Sequence, residues 1–126
     1  MAYFTSVTGD IGIDKMGVCQ PHEHVYIVET PALTTNSLIR LCNLEASIRE
    51  LKLYREAGGQ TLVDANPLAT GRDALALRTA SRVSGVQIIA TTGYHIPSFY
   101  QKSHWIWTMD EEELTRLFTS ELVDGM

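Results

Sequence analysis

The sequence predicts an α/β fold built on a parallel sheet, because short apolar strands alternate with amphipathic helices three times within 126 residues. Each helical stretch repeats its apolar residues at helical spacing, each strand is a short apolar run, and glycines punctuate the joins. A dinucleotide-binding version is disfavoured, since no G-x-G-x-x-G opens a helix after the first strand and no Walker A run exists. A (β/α) barrel fits better. His22 and His24, Asp64 and Thr92-Gly93-Tyr94-His95 all fall on predicted strands or at their ends, where a barrel keeps its chemistry.

In chain order, Gly17 and Pro21 mark the start of the first strand, which carries His22 and His24 and continues through Val25-Tyr26-Ile27-Val28 as a buried run. Asn43 caps a helix from Leu44 to Ala57, with Leu44, Ile48 and Leu51 on one face, and Gly58-Gly59 stops it. Thr61-Leu62-Val63 forms the second strand and ends at Asp64. Asn66-Pro67 and Gly71 make a loop, and a second helix spans about Arg72 to Ser84, with Gly85 at its end. Val86-Gln87-Ile88-Ile89-Ala90 is the third strand, closed by Thr91-Thr92-Gly93. A long connection follows, containing Pro97, Phe99, Tyr100, Trp105 and Trp107. Thr108-Met109-Asp110-Glu111 has the form of a capping box and opens a last helix, with Leu114, Leu117, Phe118 and Leu122 as its apolar stripe.

The bulk composition sets outer limits. With 44% apolar and 20% charged residues the chain is a folded protein, and its length suits one domain. A net charge of -5 without a Lys/Arg cluster argues against nucleic acid or an anionic membrane as partner. Cys19 and Cys42 form no CxxC pair, and two buried thiols in a reducing compartment are expected. No run is apolar enough to span a bilayer, and the first residues lack the pattern of a secretory leader, so the expected location is cytoplasmic.

The His22/His24 pair carries most of the chemistry. On a strand, residues i and i+2 share a face with Cα atoms about 7 Å apart. Their ring nitrogens can then converge on one cation, at about 2.0–2.1 Å each for zinc. Glu23 between them must point the other way. A catalytic zinc wants three protein ligands plus water, so this pair is only part of a site. Spacing alone also fits two ordinary histidines; the strand context is what favours a metal.

Four segments in sequence together resemble the start of the phosphotriesterase family, within the amidohydrolase superfamily. They are Gly17-Val18-Cys19-Gln20-Pro21-His22-Glu23-His24, Ala57-Gly58-Gly59-Gln60-Thr61-Leu62-Val63-Asp64, Gly71-Arg72-Asp73, and Ser84 through Tyr94. The resemblance implies a (β/α)8 barrel holding two divalent metal ions, usually zinc, with His22 and His24 as ligands of the more buried one. It implies a hydrolase that activates water against a lactone, another ester or a phosphotriester. A bridging carboxylated lysine on the fourth strand, histidines on the fifth and sixth and an aspartate on the eighth would complete the set. On that pattern residues 1–126 are the first three β/α units, truncated before strand four, with no second domain and no competence alone. Dimerisation is common in the family, so the resemblance leaves a homodimer open, though no residue of the chain points to one. Two other readings stay open: a self-associating or weakly metal-binding fragment, and an α/β binding domain with a coincidental His-x-His.

Several residues carry two readings. His95 stands where the family often places Trp or Tyr facing the substrate, so it either binds a polar or anionic substrate group or is merely hydrogen-bonded at the strand end. Asp64 either assists a metal or substrate or, as expected, caps its own loop. Asp73 at a helix start suits the positive end of the helix dipole, beside Arg72. His104, Trp105 and Trp107 either line a pocket or, as favoured, cover the rim.

Overall fold

The computed structural model describes residues 2–30 and 40–126. It begins with an antiparallel hairpin of β1 (Tyr3–Ser6) and β2 (Gly9–Gly12), which the sequence reading did not anticipate. Val7 and Thr8 make the turn, and Gly9, which opens β2, has a φ of 119° that glycine reaches without steric cost. Thr5 donates to Asp10 across the hairpin at 2.8 Å. Val7 N–H donates to the Ile88 carbonyl at 2.9 Å, tying the hairpin to the main sheet.

That sheet is parallel, in the order β3 (Val18–Glu23), β4 (Gly59–Asp64), β5 (Gln87–Ala90). Between them run α1 (Leu44–Glu56) and α2 (Ala74–Ser84), and α3 (Glu111–Val123) follows β5. The strand-helix alternation is therefore as expected. The central strand is the most deeply buried, with Thr61 and Asp64 fully covered and Leu62 3% exposed. Leu51 from α1 and Leu77 and Ala80 from α2 join Leu62, Val86, Ile88 and Val25 in one apolar cluster. Each large side chain buried there contributes about 1.5–3 kcal/mol.

Local chemistry explains the helix limits. Asn43 Oδ1 accepts from Ala46 N–H at 3.0 Å, and Asp73 Oδ1 from Ala76 N–H at 2.9 Å, so each caps its helix. The second helix begins two residues later than Arg72, because Asp73 supplies that cap. Gly85 closes it with a φ of 76°. The capping box of α3 pairs Asp110 with Glu113 rather than starting at Thr108, since Asp110 is the residue in extended geometry with both reciprocal bonds made.

Three further expectations are corrected. Val25-Tyr26-Ile27-Val28 is not strand: β3 ends at Glu23, and only Val25 of the four is buried. The later part is held instead by bonds to loops, Ile27 N–H to Leu41 O at 2.9 Å and Val28 N–H to Gly71 O at 2.8 Å. Leu122 is 72% exposed, and Glu121 takes the buried place on α3. The thiols are not both buried, for Cys19 is half-buried and Cys42 exposed. No helix among the described residues is long and apolar enough to cross a membrane.

Candidate functional site

The polar groups singled out by sequence gather where β3, β4 and β5 end. His22 is the penultimate residue of β3, and His24 lies one residue past its end. Their rings stand 5.4 Å apart, centroid to centroid, at 80°. The pair thus converges although the strand stops between its members, and the strand is irregular there, with a register shift between Gln20 and Glu23. Glu23 turns aside to accept from the Gln20 amide at 3.1 Å.

His95 comes from the segment after β5 and reaches the same place, its ring 6.4 Å from that of His24. It rests against Phe99 at 5.1 Å, and its backbone N–H donates to the Tyr100 hydroxyl at 2.7 Å. Burial, then the neighbouring His22, hold the His95 imidazole below its ordinary pKa. His24 is lowered in the same way, by burial first and then by His22 and His95, against a small opposing pull from Glu23. Both rings are thereby biased toward the neutral form, which for His24 is the form that can ligate metal. His22 and His24, whose rings converge, are of the ligand type that suits a borderline cation such as zinc. Among the described residues, no group of three or more His, Cys, Asp or Glu side chains is placed to hold a metal ion. A cleft of about 460 Å³ opens beside the pair, between β3 and α1, with His24, Glu23, Ser47 and Tyr54 in its wall.

Asp64 departs from the expectation of a loop cap. Its Oδ1 accepts from Val25 N–H, 39 residues away in sequence, at 2.9 Å, while Oδ2 is buried without a partner. Burial pushes its pKa from 3.8 up to about 6, against the pull of the Val25 N–H and the Arg72 charge. A folded-state pKa above the unfolded one means that the folded chain keeps a proton the unfolded chain has released. Asp64 therefore favours folding at low pH, and that advantage is lost as pH rises from about 4 through about 6. The difference is on the order of 3 kcal/mol. Urea melts of the wild type and Asp64→Asn between pH 4 and 7 should show this fall in the first and a flatter profile in the second; parallel profiles would contradict it.

Two residues that sequence reasoning left unassigned build the frame. Arg72 and Glu121 form an ion pair with side chains only 4% and 7% exposed. Arg72 also donates to the Thr91 carbonyl at 2.8 Å, and Glu121 accepts from the Thr92 hydroxyl. Thr91 in turn donates to the Asp64 carbonyl at 3.0 Å. Burial raises the Glu121 pKa, but the Arg72 and Thr92 hydrogen bonds outweigh it and leave the carboxyl below its usual range. The signal was present, because Glu121 follows Leu114, Leu117 and Phe118 at the next inward position of the helix.

The residues of the last loop divide between interior and surface. His104 is buried, its Nδ1 accepting from Ile106 N–H at 3.1 Å and its ring 4.7 Å from Tyr100. Burial lowers its pKa as well. Trp105 and Trp107 are partly exposed on the surface.

Comparison with known proteins finds relatives by sequence and by structure. The chain is 34% identical to a phospho-furanose lactonase of Mycoplasmopsis synoviae over 96% of its own length and 35% of that protein's. It is 30% identical to an N-acetyltaurine hydrolase of Danio rerio, covering 93% of this chain and 33% of the relative. The chain thus spans about a third of the curated relatives it matches. Its structure superposes on an amidohydrolase from Mycoplasma synoviae with a TM-score of 0.80 at 29% identity, over 98% of this chain and 36% of the other. A lactonase from Listeria monocytogenes gives 0.80 at 25%, over 99% and 43%. The phosphotriesterase family profile matches residues 2–126, so that motifs, fold and relatives converge: the chain belongs to the phosphotriesterase family.

Proposed function

We propose that residues 1–126 form the first three β/α units of a (β/α)8 barrel, within a metal-dependent hydrolase that opens a lactone or a related ester. The observation that carries the reading is the meeting of His22, His24 and His95 at the C-terminal ends of parallel strands, the face where barrels place their chemistry. The names of the relatives, lactonases and hydrolases, support the same class.

In this reading His22 and His24 hold one of two divalent metal ions, zinc being the one imidazole suits well. When bound, such ions polarise an ester carbonyl and make water acidic enough to serve as nucleophile near pH ~7. The two rings transfer no proton themselves; they must stay neutral, and the lowered pKa of His24 keeps its ring so below the ordinary histidine range. His95 faces the substrate from beyond the end of β5, on the same side of the sheet. As a hydrogen-bonding ring it accepts a polar or anionic substituent that Trp or Phe at that place would exclude.

The test is a chimera in which this chain replaces the matching first third of the phospho-furanose lactonase, assayed with zinc on phosphorylated and unsubstituted sugar lactones. Hydrolysis by the chimera, lost with His22→Ala, is the expected result. His95→Phe should then shift preference away from the phosphorylated lactone by about tenfold, the worth of one hydrogen bond. A folded, zinc-loaded chimera that hydrolyses neither lactone contradicts the proposal, and an unchanged preference in His95→Phe removes the substrate role.

A further inference from the structure

β3 ends at Glu23, so the sheet ladder does not by itself fix the residue that follows. Yet Val25, the residue that follows His24, is held at both of its backbone polar groups. Val25 N–H, which shares its peptide plane with the His24 carbonyl, donates to Asp64 Oδ1 at 2.9 Å. The Val25 carbonyl accepts from the Ser47 hydroxyl of α1 at 2.6 Å. A side-chain carboxylate thus takes the place of the next ladder carbonyl, immediately after the register pair Glu23 and Asp64. The Ala65 N–H to Glu23 carbonyl bond, at 2.7 Å, locks the other side of the same junction.

Asp64 is a costly way to hold one amide. It is fully buried and its Oδ2 has no partner, where an asparagine or serine would offer an acceptor without a charge. A local rule broken beside a functional cluster points to a role in that cluster. The hydrogen bond fixes ψ of His24 and with it the direction in which the chain departs; Ser47 does the same one residue later.

We infer that Asp64 and Ser47 are positioning residues for His24, clamping the Val25 peptide so that the His24 ring converges with His22 on a divalent cation. The inference rests on the metal-binding reading of the pair. In the metal sites of proteins generally, loss of a group that orients a ligand lowers affinity about 10–100-fold.

The test joins two readouts on the full 126-residue chain. Zinc affinity is measured by calorimetry, and the clamp by hydrogen exchange of the Val25 amide together with ring-to-ring NOEs between His22 and His24. Asp64→Ala should expose the Val25 amide, weaken the NOEs and lower zinc affinity about tenfold or more. Asp64→Asn, whose side-chain oxygen can still accept from Val25, should restore all three to within about threefold. Ser47→Ala removes no buried charge, so it stays folded and should lower zinc affinity while leaving the Val25 amide protected. Wild-type zinc affinity in both Asp64→Ala and Ser47→Ala overturns the inference. If the wild-type chain binds no zinc, the metal reading fails on its own, and NOEs unchanged in Asp64→Ala then overturn the clamp separately.

Discussion

Arg72→Ala or Glu121→Ala should destabilise the chain by about 3–5 kcal/mol, because each leaves the other charge buried without its partner. Both side chains are almost wholly covered, so solvent cannot replace the lost ion. A domain of this size holds only about 5–15 kcal/mol in total, and either variant should therefore be partly unfolded at 37 °C. The paired replacement Arg72→Met with Glu121→Leu should cost far less, since desolvation of both ions disappears with their attraction. Urea melts of the three variants check this. Single alanine variants within about 1 kcal/mol of wild type would show the pair to be effectively solvated. The consequence reaches the site, because Arg72 and Glu121 also hold Thr91 and Thr92, which lead directly into His95.

The second large effect is on metal binding. His22→Ala and His24→Ala should each lower zinc affinity by more than the roughly 10–100-fold that loss of an orienting partner costs, and together they should abolish it. Stability should change little, since neither residue belongs to the apolar core. The ligating form is the neutral imidazole, so wild-type affinity should fall as pH drops below about 6.5. The lowered pKa of His24 moves that fall to lower pH than an unperturbed ring would give. Calorimetric titration of wild type, the two single variants and the double variant from pH 5.5 to 7.5 decides the matter. Equal affinities in wild type and the double variant would mean that any zinc bound lies elsewhere.

The sheet, the helices and their caps were legible because they are written locally. Asn43 and the apolar positions of α1 specify that helix within thirteen residues. Short apolar runs marked β4 and β5 in the same way. The hairpin escaped because its strands are only four residues each and show little apolar alternation. The end of β3 was misjudged for the opposite reason. Val25-Tyr26-Ile27-Val28 has the composition of a strand, but bonds to Asp64, Leu41 and Gly71 override that preference.

Within the site, the histidines were legible as residue types at a spacing, whereas their surroundings were not. Asp64 reaches Val25 across 39 residues and Arg72 reaches Glu121 across 49, and no window of sequence shows such pairings. Both are side-chain bonds whose partners only the packed fold supplies. Glu121 alone left a trace, as a charge on the inward face of an amphipathic helix.

The central claim is that His22 and His24 act as one cation site, and imidazole nitrogen NMR during a zinc titration tests it most directly. The chain has four histidines, and His104, buried in its own turn, serves as an internal control. The ring nitrogens of His22 and His24 should shift together at one common zinc concentration, while those of His104 stay fixed. Zinc that moves His104, or only one member of the pair, would contradict it.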